Sequence, residues 1–513
     1  MKAAPIPVIW SIAGTDSAGG AGIAADQRAA DACGVHLCTV VAAVTAQNSC
    51  AVERIDAMDP ALLDAQMAAL EHDLPPAAVK TGLLGGAAQV ACVAGWIDRL
   101  RQRGPVALVV DPVLSASTGA GFADAETVAA YRDLLLPRAT LITPNRREAA
   151  RLAGWDHDMA QGDVPALAIA LRALGAEAVC ITGGDADDAL ALDWIDTPHA
   201  AGWLASPRIG TPHRHGTGCT FASAAAASMA RGFVTADALV LAKMATAQAL
   251  RGGAAAGQGA GPVRAAPGFA RDPSLLPQLS WSRVTRFAPF VAAPPAVPLG
   301  LYAIVDSVQR LVEVVNAGVR TVQLRIKSPV PDDLRQQVAD AIAHCRAADV
   351  QLFVNDHHWL ARELGASGLH LGQEDLLALD DDERQALASP GGPALGVSSH
   401  SLWELARARS LSPRYIACGP VWPTLTKDMP WRPQGLDNLA WWSGMAGYPV
   451  VAIGGILSPH HAGAAARCGA DGVCVVRGLG VDLARTVPVF AQAVQAGHRT
   501  GPAPMRDWPA PTL

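Results

Sequence analysis

The sequence has no closely spaced pair of cysteines, although it contains ten cysteines in all. Without a CxxC spacing a zinc-finger type of site is excluded, and a chain of 513 residues is large enough to fold without disulfide bonds. Scattered single cysteines are typical of a reducing compartment. We therefore expect a cytoplasmic protein.

The chain also has neither a large excess of one sign of charge nor a long apolar run. Lysine and arginine number 40 against 46 acidic residues, and the resulting net charge of −6 excludes a broad basic surface for nucleic acid. No stretch approaches the roughly 18 apolar residues of a membrane span. The run VIWSIAG near the N-terminus leads into GTDSAGGAG, which indicates a first buried strand rather than a signal peptide. We expect a soluble protein with small-molecule partners, and the composition leaves a homo-oligomer open.

Proline is concentrated in one segment. Residues 262–298 contain eight prolines and end in FAPFVAAPPAVPLG. Proline at this density breaks helices and central strands, so the segment predicts a linker. The predicted organisation is a domain over 1–262, a linker over 263–298, a second domain over 299–500, and a Pro-rich tail over 501–513 without fixed structure.

The second half alternates short apolar runs with helical segments. Eight strands with helical connections in about 200 residues predict a (β/α)₈ TIM barrel. The candidate strands are LYAIVD (301–306), TVQLRI (321–326), QLFVND (351–356), GLHLG (368–372), ALGVS (394–398), YIACG (415–419), PVVAIGG (449–455) and GVCVV (472–476). Polar residues cluster at their C-terminal ends, which form the active face of such barrels: Asp306, Arg325, Lys327, Asp356, Asp375, Ser398 and Lys427.

The first half shows the same alternation with different turns. Its candidate strands include VIWSIAG, CTVVAAVTAQN, ALVVDP (107–112), TLITPN (140–145) and AVCITGG (178–184). This pattern predicts an open α/β sheet with helices on both faces and ligands at the carboxyl ends of the strands.

The stretch HGTGCT begins an alanine-rich helix. The successive backbone N–H groups of Gly216, Thr217 and Gly218 suit an anion, and the helix dipole adds to their attraction. Phosphoryl transfer depends on such charge stabilisation. Cys219 starts the helix, where we expect a lowered thiol pKa and the ability to take a proton from an attacking hydroxyl.

These residues resemble the ribokinase-like hydroxymethylpyrimidine/phosphomethylpyrimidine kinases of thiamine biosynthesis. The resemblance covers nearly all of residues 7–262 and includes SIAGTDSAGGAGIAAD, VTAQN, VVDPVL, ITPNRREA and HGTGCT. It implies two successive phosphorylations of a hydroxymethylpyrimidine by ATP. In that family Cys219 matches the catalytic base, and Gly216, Thr217 and Gly218 match the anion hole.

The resemblance also implies roles outside HGTGCT. Asp26 and Gln47 match residues that hold the pyrimidine, and Asn145 with Glu148 match a pair associated with Mg²⁺ and the phosphates. Asp111 ends a strand facing the nucleotide phosphates. Thr182 departs from the family, which usually has lysine there.

In the second half, VQLRIK places Gln323, Arg325 and Lys327 on one face of a strand. Two cations and an amide at a barrel rim suit a pyrophosphate. Asp356 and Asp375 end the next two strands, and two carboxylates with a pyrophosphate between them are an ordinary arrangement for Mg²⁺.

This set resembles thiamine-phosphate synthase over roughly residues 299–490. The resemblance implies that a pyrimidine pyrophosphate ionises and that a thiazole phosphate captures the cation, which gives thiamine phosphate and pyrophosphate. The implied pyrimidine-pyrophosphate contacts are Gln323, Arg325, Lys327, Asn355 and Lys427, the implied Mg²⁺ ligands are Asp356 and Asp375, the implied leaving-group contact is Ser398, and the implied thiazole-phosphate contacts are Thr424, Thr426 and Gly455. Arg477 departs from the family, which often has serine there, and it could bind the same phosphate.

If both resemblances hold, the product of the first half is the substrate of the second. Two alternatives stay open from the residues. The first half could phosphorylate another alcohol, such as pyridoxal, and either half could be a module that binds thiamine intermediates without catalysis. Cys219, Asp356, Asp375 and Lys427 argue against the binding module, which needs neither a base nor a clamp on a leaving group.

Overall fold

The computed structural model describes residues 5–115, 122–155, 160–184, 188–290, 297–327, 332–389, 391–424 and 430–513. The chain divides into two compact units. The first comprises Met1–Ala270 with Leu275–Thr285, and the second comprises Arg271–Ser274 with Arg286–Leu513. No helix of the described residues is both long and apolar enough to cross a bilayer.

The first unit is built on a ten-stranded open sheet, as the strand–helix alternation predicts. Its strands are β1 (Val8–Gly14), β2 (His36–Gln47), β3 (Val52–Ala57), β4 (Ala78–Thr81), β5 (Ala107–Val110), β6 (Leu141–Ile142), β7 (Val179–Ile181), β8 (Leu190–Asp196), β9 (Ala201–Pro207) and β10 (Gln278–Leu279). Their spatial order is β10-β9-β8-β7-β6-β5-β4-β1-β2-β3. The six strands from β7 to β2 are parallel, whereas β3 at one edge and β8, β9 and β10 at the other are antiparallel.

The helices of this unit are α1 (Gly22–Cys33), α2 (Pro60–Glu71), α3 (Ala87–Arg101), α4 (Ala125–Ala130), α5 (Arg146–Ala153), α6 (Val164–Ala173), α7 (Thr217–Ala230) and α8 (Thr235–Arg251). Helix α7 packs against α1, α8 and the central strands. All nine residues from Thr220 to Ser228 are buried, because the small alanine and serine side chains allow neighbours to approach from every direction. The N-terminus of α7 is thereby fixed at the carboxyl edge of the sheet.

The second unit is the predicted barrel. All eight strands lie where the sequence places them, within one to three residues at their ends, and they close in sequential order: β11 (Gly300–Val305), β12 (Thr321–Leu324), β13 (Gln351–Asn355), β14 (Gly368–Leu371), β15 (Ala394–Ser399), β16 (Tyr415–Cys418), β17 (Val450–Ala452) and β18 (Gly472–Val475). Around them lie α9 (Val308–Asn316), α10 (Leu334–Ala347), α11 (His358–Glu363), α12 (Gln373–Ala378), α13 (Asp381–Ala388), α14 (Leu402–Arg409), α15 (Gly435–Met445), α16 (Pro459–Arg467) and α17 (Leu483–Arg499).

The barrel interior contains an aromatic cluster. Tyr302, Phe353 and Tyr415 have ring centroids 5.1 to 5.9 Å apart and pack together with aliphatic residues of the other strands. Aromatic rings at these separations attract each other in tilted or edge-to-face arrangements. The cluster fills the barrel below its C-terminal rim, so it forms the floor on which the rim residues stand.

The segment predicted as a linker differs from the prediction over 263–285. Apart from Arg271–Ser274, these residues belong to the first unit, where β10 pairs with β9. Trp203 donates to the Ser280 hydroxyl and to the carbonyl of Arg283, and its carbonyl accepts the N–H of Ser280. The proline content predicted a linker, although the apolar residues between the prolines drive this packing. Phe269, Leu275 and Leu276 are each at most 2% exposed.

The C-terminal tail also differs from the prediction of a segment without fixed structure. The amide of Asn438 donates to the carbonyl of Ala510 and accepts its N–H, at 3.0 and 2.7 Å. The carbonyl of Thr512 accepts from the N–H of Arg432 at 2.9 Å. Proline residues, which lack a backbone N–H, are compatible with this docking because the tail needs to donate few backbone hydrogen bonds.

Two candidate active sites

In the first unit, two glycines bring the start of α7 against the loop after β1. Gly216 has φ +86°, and a Cβ there would lie 2.2 Å from the carbonyl oxygen of Gly20. Gly22 has φ +56°, and its Cβ would lie 2.2 Å from the carbonyl oxygen of Gly14. Only glycine fits such positions. The GTDSAGGAG and HGTGCT motifs therefore meet through their backbones.

The N-terminus of α7 offers free donors, displaced along the chain from the predicted set. The N–H and hydroxyl of Thr217 both donate to the carbonyl of Arg214, so the Thr217 amide is already engaged. In the described part of the chain the amides of Gly218 and Cys219 donate to no acceptor. Nothing within 4 Å would obstruct a Cβ on Gly218, so space for a ligand adjoins this amide. The donors, with the helix dipole, suit an anion.

The Cys219 thiol corrects one expectation. Burial raises its pKa to about 12, although the charge of Lys80 and a hydrogen bond from the Gly22 backbone oppose that increase. The sequence predicts a lowered pKa from the position at a helix start. Desolvation by the surrounding alanine-rich helices is the larger effect. The resting site therefore holds a neutral thiol.

Beneath Cys219 lies a buried charged cluster that the sequence did not reveal. The ammonium of Lys80 donates to both carboxylate oxygens of Asp26, at 3.0 and 3.1 Å, and lies 3.6 Å from Asp111. Ser11 and Ser223 donate to the same Asp26 carboxylate at 2.6 and 2.8 Å. Lys80 sits inside the apolar stretch AVKTG, which reads as an ordinary strand.

The predicted role of Asp26 as a pyrimidine contact therefore needs correction. Its side chain is fully buried and its two oxygens accept four hydrogen bonds. A carboxylate satisfied in this way is held below the site rather than presented to a ligand. Asp26 acts on the site by fixing Lys80.

Asp111, at the end of β5, is only partly satisfied. Burial raises its pKa to about 6 and the nearby Asp26 adds to the increase, while Lys80 opposes it. Its Oδ2 atom is buried, and apart from the ion pair with Lys80 at 3.6 Å it has no hydrogen-bond partner among the described residues. An unsatisfied buried carboxylate oxygen is costly unless a ligand meets it. The atom fits a cation such as Mg²⁺, as expected for the phosphate side of the site.

A second group joins the two motifs near the predicted substrate residue Gln47. Asp16 accepts hydrogen bonds from the backbone of Ala18, Gly20 and Ala21 and from His215 Nε2 at 2.9 Å. Burial alone would raise the pKa of Asp16, but these hydrogen bonds and His215 keep it below its ordinary value. His215 Nε2 lies 3.4 Å from the amide nitrogen of Gln47.

Sequence reasoning did not single out Asp16 and His215. The available signal was an acidic residue directly before a run of glycine N–H groups.

The pair Asn145 and Glu148 forms a capping box at the start of α5. The Asn145 side chain accepts the N–H of Glu148 at 2.9 Å, and the Glu148 carboxylate accepts the N–H of Asn145 at 3.0 Å. A further carboxylate oxygen of Glu148 accepts from the N–H of Leu114. The pair thus ties α5 to the loop after β5. Thr182 lies beside Asn145 as its bridge partner.

In the barrel, the predicted metal residues lie together. Burial and the charge of the nearby Asp356 raise the pKa of Asp375. Lys327 forms an ion pair with Asp356. Asp356 has φ +65°, a left-handed conformation held by its N–H bond to His370 and by the N–H of His358. Two adjacent carboxylates repel each other unless a cation joins them, so the pair fits Mg²⁺.

A chain of hydrogen bonds crosses the barrel to the predicted residue Ser398. Gln323 donates to Tyr302, whose hydroxyl lies 2.9 Å from that of Tyr415. The Tyr415 hydroxyl lies 2.9 Å from His370 Nδ1, and His370 Nε2 lies 3.0 Å from the Ser398 hydroxyl. Gln323 is 2% exposed, so it belongs to the floor of the site.

His370 is a component that the sequence did not single out, because it stands alone in the strand GLHLG. Burial, together with the charges of Arg325 and Lys327, lowers its pKa to about 4, although the charge of Asp356 opposes this decrease. The ring is neutral near pH 7, so one nitrogen donates and the other accepts. The interaction with Arg325 and Lys327 also places these two cations near the same end of the barrel.

Asn355 ends β13 beside His370, its register partner. It is 5% exposed, and its Nδ2 atom is buried without a hydrogen-bond partner among the described residues. Leaving such a buried donor without a hydrogen bond costs free energy. It fits the predicted contact with a ligand oxygen or ring nitrogen.

The predicted phosphate end of the barrel lies at the loops after β17 and β18. Gly455 has φ +72°, and a Cβ there would lie 2.5 Å from that of Trp422. Arg477 follows β18 and is exposed, and its neighbour Gly478 packs against the carbonyl of Ile456. The two loops therefore adjoin. Thr424 lies on the loop after β16, whereas Thr426 and Lys427 lie outside the described residues.

Comparison with known proteins matches each half of the chain to a family. Residues 16–264 match the family described as phosphomethylpyrimidine kinase, and residues 301–479 match the family described as thiamine monophosphate synthase.

Three relatives show how much of the chain is shared. The chain is 32% identical over 465 residues to the thiamine biosynthetic bifunctional enzyme TH1, chloroplastic, of Arabidopsis thaliana, an alignment covering 88% of this chain and 85% of the relative. It is 44% identical over 259 residues to a hydroxymethylpyrimidine/phosphomethylpyrimidine kinase of Synechococcus elongatus, covering 50% of this chain and 97% of the relative. It is 46% identical over 188 residues to a thiamine-phosphate synthase of Serratia proteamaculans, covering 36% of this chain and 86% of the relative.

Proposed function

Because the chain belongs to the family of bifunctional thiamine biosynthetic enzymes, we propose which of its residues carry out the two activities of that family. The first unit is the hydroxymethylpyrimidine and phosphomethylpyrimidine kinase, and the second is the thiamine-phosphate synthase. The pyrimidine pyrophosphate made by the first unit is therefore the substrate of the second.

For the kinase, we propose that Cys219 contacts the substrate hydroxyl while the amides of Gly218 and Cys219 bind the transferring phosphoryl group. The support is that these groups share the first turn of α7 and that both amides lack an acceptor among the described residues. Gln47, close to His215, is proposed to hold the pyrimidine. Asp111 would hold Mg²⁺, which neutralises phosphate charge when bound.

The pH dependence tests the role of Cys219. If its thiolate takes the proton, a pKa near 12 in the free protein means that kinase kcat/KM rises about tenfold per pH unit from about pH 6.5 to 9. Cys219→Ala should then lower kinase kcat by about a hundredfold or more and abolish this slope. A flat profile together with a nearly active Cys219→Ala variant would contradict the assignment.

For the synthase, we propose that Arg325, Lys327 and Asn355 bind the pyrimidine pyrophosphate and that Asp356 and Asp375 hold Mg²⁺. Mg²⁺ bound there would shield the charge of the departing pyrophosphate. Ser398, fixed by His370, would donate to the same leaving group. Thr424, Gly455 and Arg477 would bind the thiazole phosphate. The observation that carries this proposal is the ion pair of Lys327 with Asp356, whose charge also acts on Asp375.

Thr426 and Lys427 remain predictions with the same roles. The linker proposal is reduced to residues 289–298, because Arg286 pairs with Asp382 and the N–H of Ala288 donates to the carbonyl of Ser410 in the second unit. A cytoplasmic location is proposed from the ten unpaired cysteines, although the Arabidopsis relative is named chloroplastic.

A paired assay tests the two activities. One tube receives the full chain, hydroxymethylpyrimidine, Mg²⁺-ATP and thiazole phosphate, and a second receives pyrimidine pyrophosphate in place of pyrimidine and ATP. Thiamine phosphate in both tubes, detected by mass spectrometry, is the expected result. Product in the second tube alone would contradict the kinase assignment, and product in neither would contradict the synthase assignment, because thiamine phosphate forms only through the synthase.

A further inference from the structure

Beside the kinase site, a turn at residues 182–184 follows β7 and lies next to the start of α5. Thr182 is the bridge partner of Asn145, and its N–H donates to the carbonyl of Pro144 at 2.9 Å. An ideal Cβ placed on Gly183 would lie 3.4 Å from a terminal nitrogen of Arg146. The guanidinium of Arg146 therefore lies against this turn, at the carboxyl edge of the sheet where ligands of such folds bind.

The turn itself is rigidly held. The N–H of Gly183 donates to Asp193 at 3.0 Å, and Lys243 donates to the other oxygen of Asp193 at 2.6 Å. A Cβ on Gly183 would lie 2.0 Å from the carbonyl of Leu192, so the turn packs directly against β8. Arg208 donates to the carbonyl of Gly184 at 3.0 Å. The position next to Arg146 is thus preformed.

Neighbouring cations are committed to protein acceptors. Lys80 is fully buried between Asp26 and Asp111, and Lys243 is bound by Asp193 and the carbonyl of Ala191. Arg151 donates to two backbone carbonyls. Arg146, in contrast, forms no ion pair or side-chain hydrogen bond within the described ranges, although it is half-buried. A half-buried guanidinium without an anion is an incomplete arrangement.

We infer that Arg146 binds the phosphate chain of the ATP that the kinase consumes. A guanidinium donates two parallel hydrogen bonds to phosphate oxygens, and its position in the first turn of α5 adds the attraction of the helix N-terminus. The capping box of Asn145 and Glu148 fixes that turn and so aims the side chain. Thr182, which stands where the resembling kinases usually have lysine, supplies no charge. Arg146 supplies it instead from the adjacent start of α5.

This inference rests on the proposed kinase function and names a further residue of that site. Its test compares Arg146→Gln with Arg147→Gln in the full chain. Arg147 is the next residue of α5 and is exposed, so its variant loses the same charge from the same helix end. We expect Arg146→Gln to raise the KM for ATP and the Kd for ADP about tenfold or more, with the KM for hydroxymethylpyrimidine unchanged. We expect Arg147→Gln to change the KM for ATP and the Kd for ADP by less than about twofold.

Two further variants separate binding from structure. Arg146→Lys should recover part of the ATP affinity, and Thr182→Lys added to Arg146→Gln should recover it from the neighbouring position. The first unit should unfold at the wild-type urea concentration throughout, which shows that the unit carrying the substitutions is folded, and synthase activity from pyrimidine pyrophosphate in the second unit should stay at the wild-type level.

Equal effects of Arg146→Gln and Arg147→Gln, or no rescue by either lysine, would overturn the inference while leaving the kinase function intact. An inactive wild-type kinase in the same assay would overturn the proposed function itself.

Discussion

The ammonium of Lys80 lies 3.0 Å from a carboxylate oxygen of Asp26, and neither side chain has any exposed surface. The same ammonium is 3.6 Å from Asp111, so one cation serves two buried acids under the kinase site. A buried ion pair contributes little relative to an apolar pair, but breaking it leaves an uncompensated charge. The cluster therefore constrains both the stability and the shape of the site.

Replacing Lys80 with methionine should destabilise the first unit by about 3 to 5 kcal/mol, because Asp26 would lose its cation inside the protein. Urea unfolding followed by hydrogen–deuterium exchange in peptides from β1 and β4 would measure this change. Arg54→Met is the control, since Arg54 pairs with Asp56 on the surface and should cost less than about 1 kcal/mol. Equal losses of unfolding free energy in the two variants would show that the buried Lys80–Asp26 ion pair contributes no more than a surface pair.

Asp111→Asn should stabilise the first unit at pH 8 in the absence of Mg²⁺, while abolishing most kinase activity. The folded pKa of Asp111 is about 6, above the ordinary value of 3.8, so ionisation costs stability as the pH rises through this range. The gain should reach about 1 to 3 kcal/mol at pH 8 and vanish near pH 4. Urea unfolding at the two pH values measures it. Equal stabilisation of Asp111→Asn at pH 8 and near pH 4 would contradict the raised pKa of Asp111.

His370 should make the barrel sensitive to acid. Its folded pKa is about 4 against 6.5 in the unfolded chain, so the folded state binds fewer protons and stability falls as the pH drops from 6.5 towards 4. His370→Gln should weaken this dependence by up to about 3 kcal/mol and lower synthase kcat by disturbing Ser398. His460→Gln, at an exposed site of the same unit, should retain the wild-type dependence. Unfolding curves at about pH 7 and 4.5 distinguish the variants.

Asp375→Asn should remove the repulsion between Asp375 and Asp356. Without Mg²⁺ we expect the second unit to melt at an equal or higher temperature, whereas the additional stabilisation by Mg²⁺ with pyrophosphate should be lost. Synthase kcat should fall about a hundredfold. Asp306→Asn, an exposed carboxylate at the end of β11, is the control. A metal-dependent melting shift that survives in Asp375→Asn would exclude this residue as a ligand.

Periodicity in the sequence predicted the barrel well and the edges of the first sheet poorly. All eight barrel strands are parallel, short and separated by helices, so each stands out as an apolar run. Strands β8, β9 and β10 are antiparallel additions at one edge, and β10 is two residues long within a proline-rich segment. Its pairing with β9 is a tertiary contact that no local pattern encodes.

The site residues likewise divide into those that the sequence predicted and those that it missed. Motifs with charged residues at strand ends, such as VQLRIK and LGQED, marked Lys327, Asp356 and Asp375 correctly as neighbours. Lys80 and His370 were missed because each is a single polar residue inside an apolar strand. The pKa of Cys219 was misjudged because helix position is visible in a sequence, whereas desolvation by tertiary packing is not.

Strand β10 also determines where the gene can be divided for expression of separate enzymes. A kinase fragment ending at residue 262 would leave the backbone of β9 unpaired along the flank it shares with Gln278 and Leu279, and would uncover Trp203. Exposed strands of this kind recruit other chains and cause precipitation. A fragment extended through Thr285 keeps that flank covered, so solubility in a recombinant host should depend on some twenty residues that resemble a spacer.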